Sequence, residues 1–143
     1  NGGKSIHSFI YAGDVASAIV RILSLSRSKG SEEFNLAIPQ ATTSRGFVDL
    51  ASEVCGIEPI VVSYQPEEFQ IDTINFDLKN VAFPFPENNA FLSSEKILTR
   101  LGFAPAYDLK SMLSVYYEWW MKGPNKAPKE YPLESRIKEA FGM

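Results

Sequence analysis

The chain has 143 residues, a net charge of −3 and an isoelectric point near 5.2, with 45% hydrophobic and 13% aromatic residues. This suits one domain with a packed core, and it excludes a globally basic surface of the kind that collects nucleic acid by charge alone. One cysteine, Cys55, excludes an internal disulfide, and one histidine leaves no Cys/His cluster for a metal.

In chain order, residues 6–11 (IHSFIY) read as a short strand broken by Gly13, with Asp14 as the N-cap of a helix through Val15, Ile19, Ile22 and Leu23. Arg27 and Lys29 suit the negative end of that helix, and Gly30 stops it. Residues 33–37 (EFNLA) are predicted as a second strand, followed by a Thr-containing loop and a helix capped by Thr43 or Ser44 and closed by Gly56. Residues 59–64 (PIVVSY) form an apolar, β-branched run, predicted as a strand buried on both faces as parallel strands are. This alternation predicts an α/β fold.

Residues 65–91 carry Pro66, Pro84 and Pro86, several acidic side chains and no period, so they are predicted as a long loop, either a substrate-covering lid or a poorly ordered segment. Ser93 is expected to cap a short helix ending at Gly102, with Pro105 enforcing the stop. Asp108 is expected to cap the next, whose Leu109, Met112, Leu113, Tyr116, Trp119 and Trp120 make a broad apolar face. A division follows: residues 1–122 as one domain, and residues 123–143 as a linker and terminal helix. No apolar run approaches the roughly 20 residues needed to span a bilayer. The expectation is a cytoplasmic, metal-free protein without membrane contact.

Two motifs are missing from the sequence. The nine glycines form no G-x-G-x-x-G or G-x-x-G-x-x-G, so no turn lets the backbone approach a dinucleotide pyrophosphate at a helix N-terminus. No Y-x-x-x-K pair exists either, because the residues four after each tyrosine are Val, Glu, Ser, Trp, Met and Ser.

Other residues do form a pattern. Gly3, Lys4, Phe9, Ile10, Tyr11, Asp14, Val15 and Ala16 match the spacing G-x-G-x-x-x-R-D-F-I-Y-V-x-D-V-A, and Lys96, Leu101, Gly102, Phe103, Pro105 and Leu109 match D-x-x-K-A-x-x-x-L-G-W-x-P-x-x-x-L. Together they make residues 1 to about 121 resemble the C-terminal substrate-binding part of the extended short-chain dehydrogenase/reductases, the NAD-dependent epimerases and dehydratases of nucleotide sugars. The runs YQPEEF and AFPFPENNAFLSSEK are similar to the chloroplast stem-loop-binding branch, which is associated with RNA binding and nuclease activity. The chain then reads as the back half of a longer protein whose dinucleotide-binding half is elsewhere.

The resemblance implies an NAD(P)-dependent parent, with NAD or NADP bound outside this chain, a nucleotide-sugar substrate and a parent homodimer. It places His7 where the family has its first phosphate-binding arginine, and the substrate set it implies is Lys4, His7, Phe9 and Tyr11. The residues themselves leave alternatives. His7 is a diphosphate donor or a strand residue bonded to a nearby carbonyl, and Lys4 steers a phosphate or is solvated at a hairpin tip. Of Phe9 and Tyr11, one is expected to line a pocket and the other to pack. The family's second arginine has no counterpart, since nothing between Lys79 and Lys96 is basic, and in the chloroplast pattern it falls at Pro86. RNA binding through Trp119, Trp120, Tyr116 and Tyr117 with Lys122, Lys126 and Lys129 is the competing reading, and a non-catalytic scaffold is the third.

Overall fold

The computed structural model describes residues 2–24, 31–64, 66–69, 88–123 and 131–143. Its elements run β1 (Ile6–His7), α1 (Ala12–Leu23), β2 (Thr42–Thr43), α2 (Ser44–Cys55), a single 3-10 turn (Pro66–Phe69), α3 (Glu95–Leu101), α4 (Leu109–Lys122) and α5 (Pro132–Ala140). Among the described residues this is a mixed helix and sheet structure in which helices dominate and the sheet has two short strands. β1 pairs with β2 antiparallel, Ile6 opposite Thr43 and His7 opposite Thr42, and a parallel bridge joins His7 to Ala90 on the other side.

Local chemistry explains the boundaries of α2 and α4. The Thr43 hydroxyl accepts the Gly46 N–H at 3.0 Å, which satisfies one of the free donors of the first turn of α2. Gly56 closes that helix in the left-handed region at φ 67°, where a Cβ is costly. Asp108 caps α4 by accepting the Ser111 N–H at 2.8 Å, and these Ser111 hydrogen bonds hold its carboxyl below the usual aspartate range. α3 ends as expected at Gly102, φ 59°, but the Ser94 side chain does not cap its start. The Ser94 hydroxyl instead accepts the Ala37 N–H and donates to the Ala37 carbonyl, both at 2.7 Å, while Ser93 takes the Glu95 N–H at 3.3 Å.

The helix after β1 corrects the sequence reading. α1 begins at Ala12, with Tyr11 at the N-cap position and no side-chain cap, so Asp14 lies inside the first turn. Its carboxylate is buried and accepts the N–H groups of Ala106 and Tyr107 at 3.1 and 3.3 Å. The long-range bond wins because two loop N–H groups near the buried side of α1 need an acceptor, whereas the helix start at Tyr11 can be solvated. Arg27, Lys29 and Gly30 lie outside the described residues.

Two predicted strands are not strands among the described residues. Residues 33–37 show strand-like burial, with Phe34 and Leu36 partly buried and Glu33 and Asn35 exposed, yet they belong to no ladder. Residues 59–64 also pair with nothing, and Ile60 and Val61 are 81% and 46% exposed, against the expectation of burial on both faces. A strand is a paired state, and β-branched composition alone cannot supply the neighbour. α4 departs similarly: Met112 is buried, but Tyr116, Trp119 and Trp120 are exposed.

The core is built from α1, α3 and the loops beside them. Ala18, Ile97 and Phe103 are buried together, and Ile22, Phe34, Leu36 and Leu101 pack against them. Arg21 lays its guanidinium 5.8 Å from the Phe103 ring centre and donates to the Gly102 carbonyl at 3.3 Å, placing a cation at the carbonyl end of α3. α2 packs on α4, where Lys110 meets Glu53 at 2.6 Å. α5 lies beside the 3-10 turn, with Arg136 donating to the Phe69 carbonyl at 2.6 Å.

Candidate functional site

Gly2 and Gly3, with φ of 66° and 74°, turn the chain back onto the start of α2. A Cβ on Gly3 would lie 3.1 Å from that of Arg45, so the close approach requires glycine there. The turn lets the Gly3 carbonyl accept the Arg45 N–H and the Ser5 carbonyl accept the Ser44 N–H, both at 2.9 Å. With Gly46 bonded to Thr43, these three leading donors of α2 are consumed by the chain itself. They do not form a dinucleotide phosphate cradle, which needs helix-terminal N–H groups aimed outward.

β1 is held from both sides. Against β2, His7 is 8% exposed and its Nε2 lies 2.9 Å from the Ser44 hydroxyl. Against residues 89–92, Ser8 donates its N–H to the Ala90 carbonyl at 3.0 Å and Ala90 donates to the Ile6 carbonyl at 2.7 Å. The Asn89 side chain accepts the Ile6 N–H, and the Ser8 hydroxyl accepts the Leu92 N–H, each at 2.9 Å. The end of the long acidic segment is therefore fastened beside His7. The lid expected over residues 65–91 lies mostly outside the described residues.

The four residues singled out in the sequence occupy one strip but different environments. Lys4 is exposed at the entry turn, and His7 is buried. Phe9 stacks on Phe47 of α2 at 5.0 Å, while Tyr11 meets Tyr107 at 4.6 Å in the loop before α4. Both aromatic rings pack, toward different partners: residues two apart share one face of a strand, but β1 ends at His7, so Phe9 and Tyr11 are free to diverge. His7 stands 6.5 Å from Phe9, edge to face. Chemically, the strip offers an exposed ammonium from Lys4 and a hydrogen-bonded imidazole–hydroxyl pair from His7 and Ser44, mounted on packed aromatics.

Sequence reasoning missed Ser44 and Asn89. Ser44 stood only as an alternative cap, and its availability follows from Thr43 taking that role; Asn89 had no local signal at all. Asp14, read as a cap, ties the start of α1 to the loop carrying Tyr107. Among the residues of the RNA reading, Lys122 is exposed and paired with Glu118 at 3.4 Å, and Lys126 and Lys129 lie outside the described residues. No group of three metal-ligating side chains occurs among the described residues, and none of their helices is long and apolar enough to cross a membrane.

No family model matches the sequence. The chain is 32% identical over 119 residues to the chloroplast stem-loop binding protein of 41 kDa b of Arabidopsis thaliana, a protein named as chloroplastic, covering 82% of this chain and 29% of that protein. In structure it is similar to the UDP-glucose 4-epimerase of Thermotoga maritima solved with UDP-glucose, with a TM-score of 0.63 and 21% identity over 85% of this chain and 33% of that one. The Bifidobacterium longum UDP-glucose 4-epimerase solved with NAD+ and UDP gives 0.63 and 17%, over 85% and 32%. The dTDP-glucose 4,6-dehydratase of Bacillus anthracis in complex with NAD gives 0.60 and 18%, over 86% and 33%. The chain thus spans about a third of the length of the proteins it matches. It carries the fold of a portion of the extended short-chain dehydrogenase/reductase epimerases and dehydratases, and its sequence is similar to the chloroplast stem-loop-binding branch.

Proposed function

We propose that this chain is the substrate-binding portion of an NAD(P)-dependent nucleotide-sugar epimerase- or dehydratase-like protein, and that it catalyses nothing alone. The observation that carries this reading is the likeness of 85% of the chain to UDP-glucose 4-epimerases, which the family motifs in the sequence anticipate. In this reading Lys4, His7, Phe9 and Tyr11 form the substrate-contacting strip. Lys4 supplies an exposed positive charge for a diphosphate, and His7 with Ser44 supplies hydrogen-bonding groups. Phe9 and Tyr11 act through the rigidity their ring contacts give to the strip. The nicotinamide cofactor, NAD or NADP, belongs to the rest of the longer polypeptide, which would act as a homodimer.

The sequence relative favours a second reading, RNA binding, with Trp119 and Tyr116 as exposed stacking surfaces beside Lys122. One substitution separates the two in the longer polypeptide. Because Lys4 is exposed, Lys4→Ala should disturb folding less than replacing buried His7, which mixes folding with binding. Calorimetric titration with UDP-glucose should show affinity falling about 10-fold to 100-fold in Lys4→Ala, the loss of one charged hydrogen bond. Combined Lys122→Ala, Lys126→Ala and Lys129→Ala should leave it unchanged. If no UDP- or dTDP-sugar binds, and a stem-loop RNA binds with a salt dependence that the triple variant flattens, the RNA reading replaces the first.

A further inference from the structure

Three segments meet at β1: residues 2–8 that contain it, residues 42–46 with β2 and the start of α2, and residues 88–92 on the far side. Their side chains include two strong cations, Lys4 and Arg45, and no acid, although the chain as a whole has a net charge of −3. Positive charge is therefore concentrated at this junction. Arg45 is joined directly to the glycine turn, because its N–H donates to the Gly3 carbonyl at 2.9 Å. Lys4 is the next residue, so the two exposed cations leave from backbone segments in contact. The guanidinium is also oriented: Arg45 Nε donates to Asp49 Oδ1 at 2.8 Å, one helical turn on. Among the described residues neither Nη atom has a hydrogen-bond partner, and the side chain is 53% exposed. One part of the guanidinium thus fixes its plane while the Nη edge stays open to solvent. An exposed pair four residues apart on a helix is weak, so Asp49 orients Arg45 without withdrawing it from a stronger anion.

We propose that Arg45, together with Lys4, is the anion-binding pair of this strip and that the pair holds a diphosphate. This rests on the reading of the strip as a substrate contact, and it adds a residue that the family motifs in the sequence do not name. His7 stands at the arginine position of the motif but is buried against Ser44, so the exposed charge at the junction comes from its neighbours. Two cations of different shape suit a ligand with two anionic groups. The planar fork of Arg45 can take two oxygens of one phosphate, and the compact ammonium of Lys4 can meet the other.

Inorganic pyrophosphate, titrated into the longer polypeptide while the Gly3 and Gly46 amide shifts are followed, reads this junction alone. The parent should saturate. Arg45→Ala should weaken binding about 10-fold to 100-fold, the loss of a charged hydrogen-bonding group. Arg45→Lys keeps the charge without the fork and should bind between Arg45→Ala and the parent, whereas Arg45→Gln, polar but uncharged, should bind like Arg45→Ala. Comparing Arg45→Lys with Arg45→Gln remains decisive if losing the Asp49 pair disturbs folding, because both are long polar side chains. No saturable shift in the parent, equal affinity in the parent and Arg45→Ala, or equal affinity in Arg45→Lys and Arg45→Gln overturns the proposal. A stem-loop RNA whose affinity falls in Arg45→Ala while that of pyrophosphate holds also overturns it, because the ligand is then a phosphodiester. UDP-glucose in the same samples keeps the functional reading separate. Pyrophosphate held through Arg45 with no sugar bound sinks that reading and leaves this one standing, and UDP-glucose binding unmoved by Arg45→Ala does the reverse.

Discussion

Replacing Ile97 by Ala should cost about 2 to 4 kcal/mol of stability, the range for removing a large aliphatic side chain from a closed core. Ile97 is fully buried between Ala18 and Phe103, with Ile22, Phe34, Leu36 and Leu101 around it. The cluster joins α1, α3 and residues 34–36, so a cavity there loosens three segments together. α3 is 7 residues long, too short to persist by helix propensity without this packing. The urea midpoint should fall while the slope of the transition stays constant. Ile97→Val, which removes one methylene, should cost about 1 kcal/mol in the same measurement. Equal midpoints for Ile97→Ala and the parent would show that this cluster is not the core.

Asp14→Ala should be nearly as damaging, at about 1 to 3 kcal/mol, because it strips the acceptor from the N–H groups of Ala106 and Tyr107 and leaves them beneath α1. Asp14→Asn keeps one carboxamide oxygen for one of the two donors and should fall between Ala and the parent. The loss should also have a location. Chemical shifts of Tyr107 and Tyr11, whose rings meet at 4.6 Å, should move while those of α2 stay put. An Asp14 acting as a helix cap would give the opposite pattern, with shifts confined to the first turn of α1.

Asp14 also shows what the sequence can and cannot reveal. Thr43, Gly56, Gly102 and Asp108 were legible because capping and left-handed closure are decided within about four residues of chain. Asp14 has the same local signature, but its partners lie 92 and 93 residues away, where no local rule reaches. The strands at residues 33–37 and 59–64 failed for a related reason. Their β-branched and alternating patterns are present, yet pairing depends on a neighbour that the pattern does not name. The candidate site behaves likewise: Lys4, His7, Phe9 and Tyr11 stand out through their order in a motif, whereas Ser44, 37 residues from His7, and Asn89, 83 from Ile6, become visible only in three dimensions.

In the proposed reading the strip from the glycine turn to Tyr11 contacts a nucleotide sugar, and mapping amide shifts in the longer polypeptide as UDP-glucose is added reads that contact. Saturable shifts are expected at Gly3, Lys4, His7 and Ser44, with little change at Tyr116, Trp119 and Lys122. Shifts confined to α4, or none at residues 3–11 with sugar bound elsewhere, would contradict it.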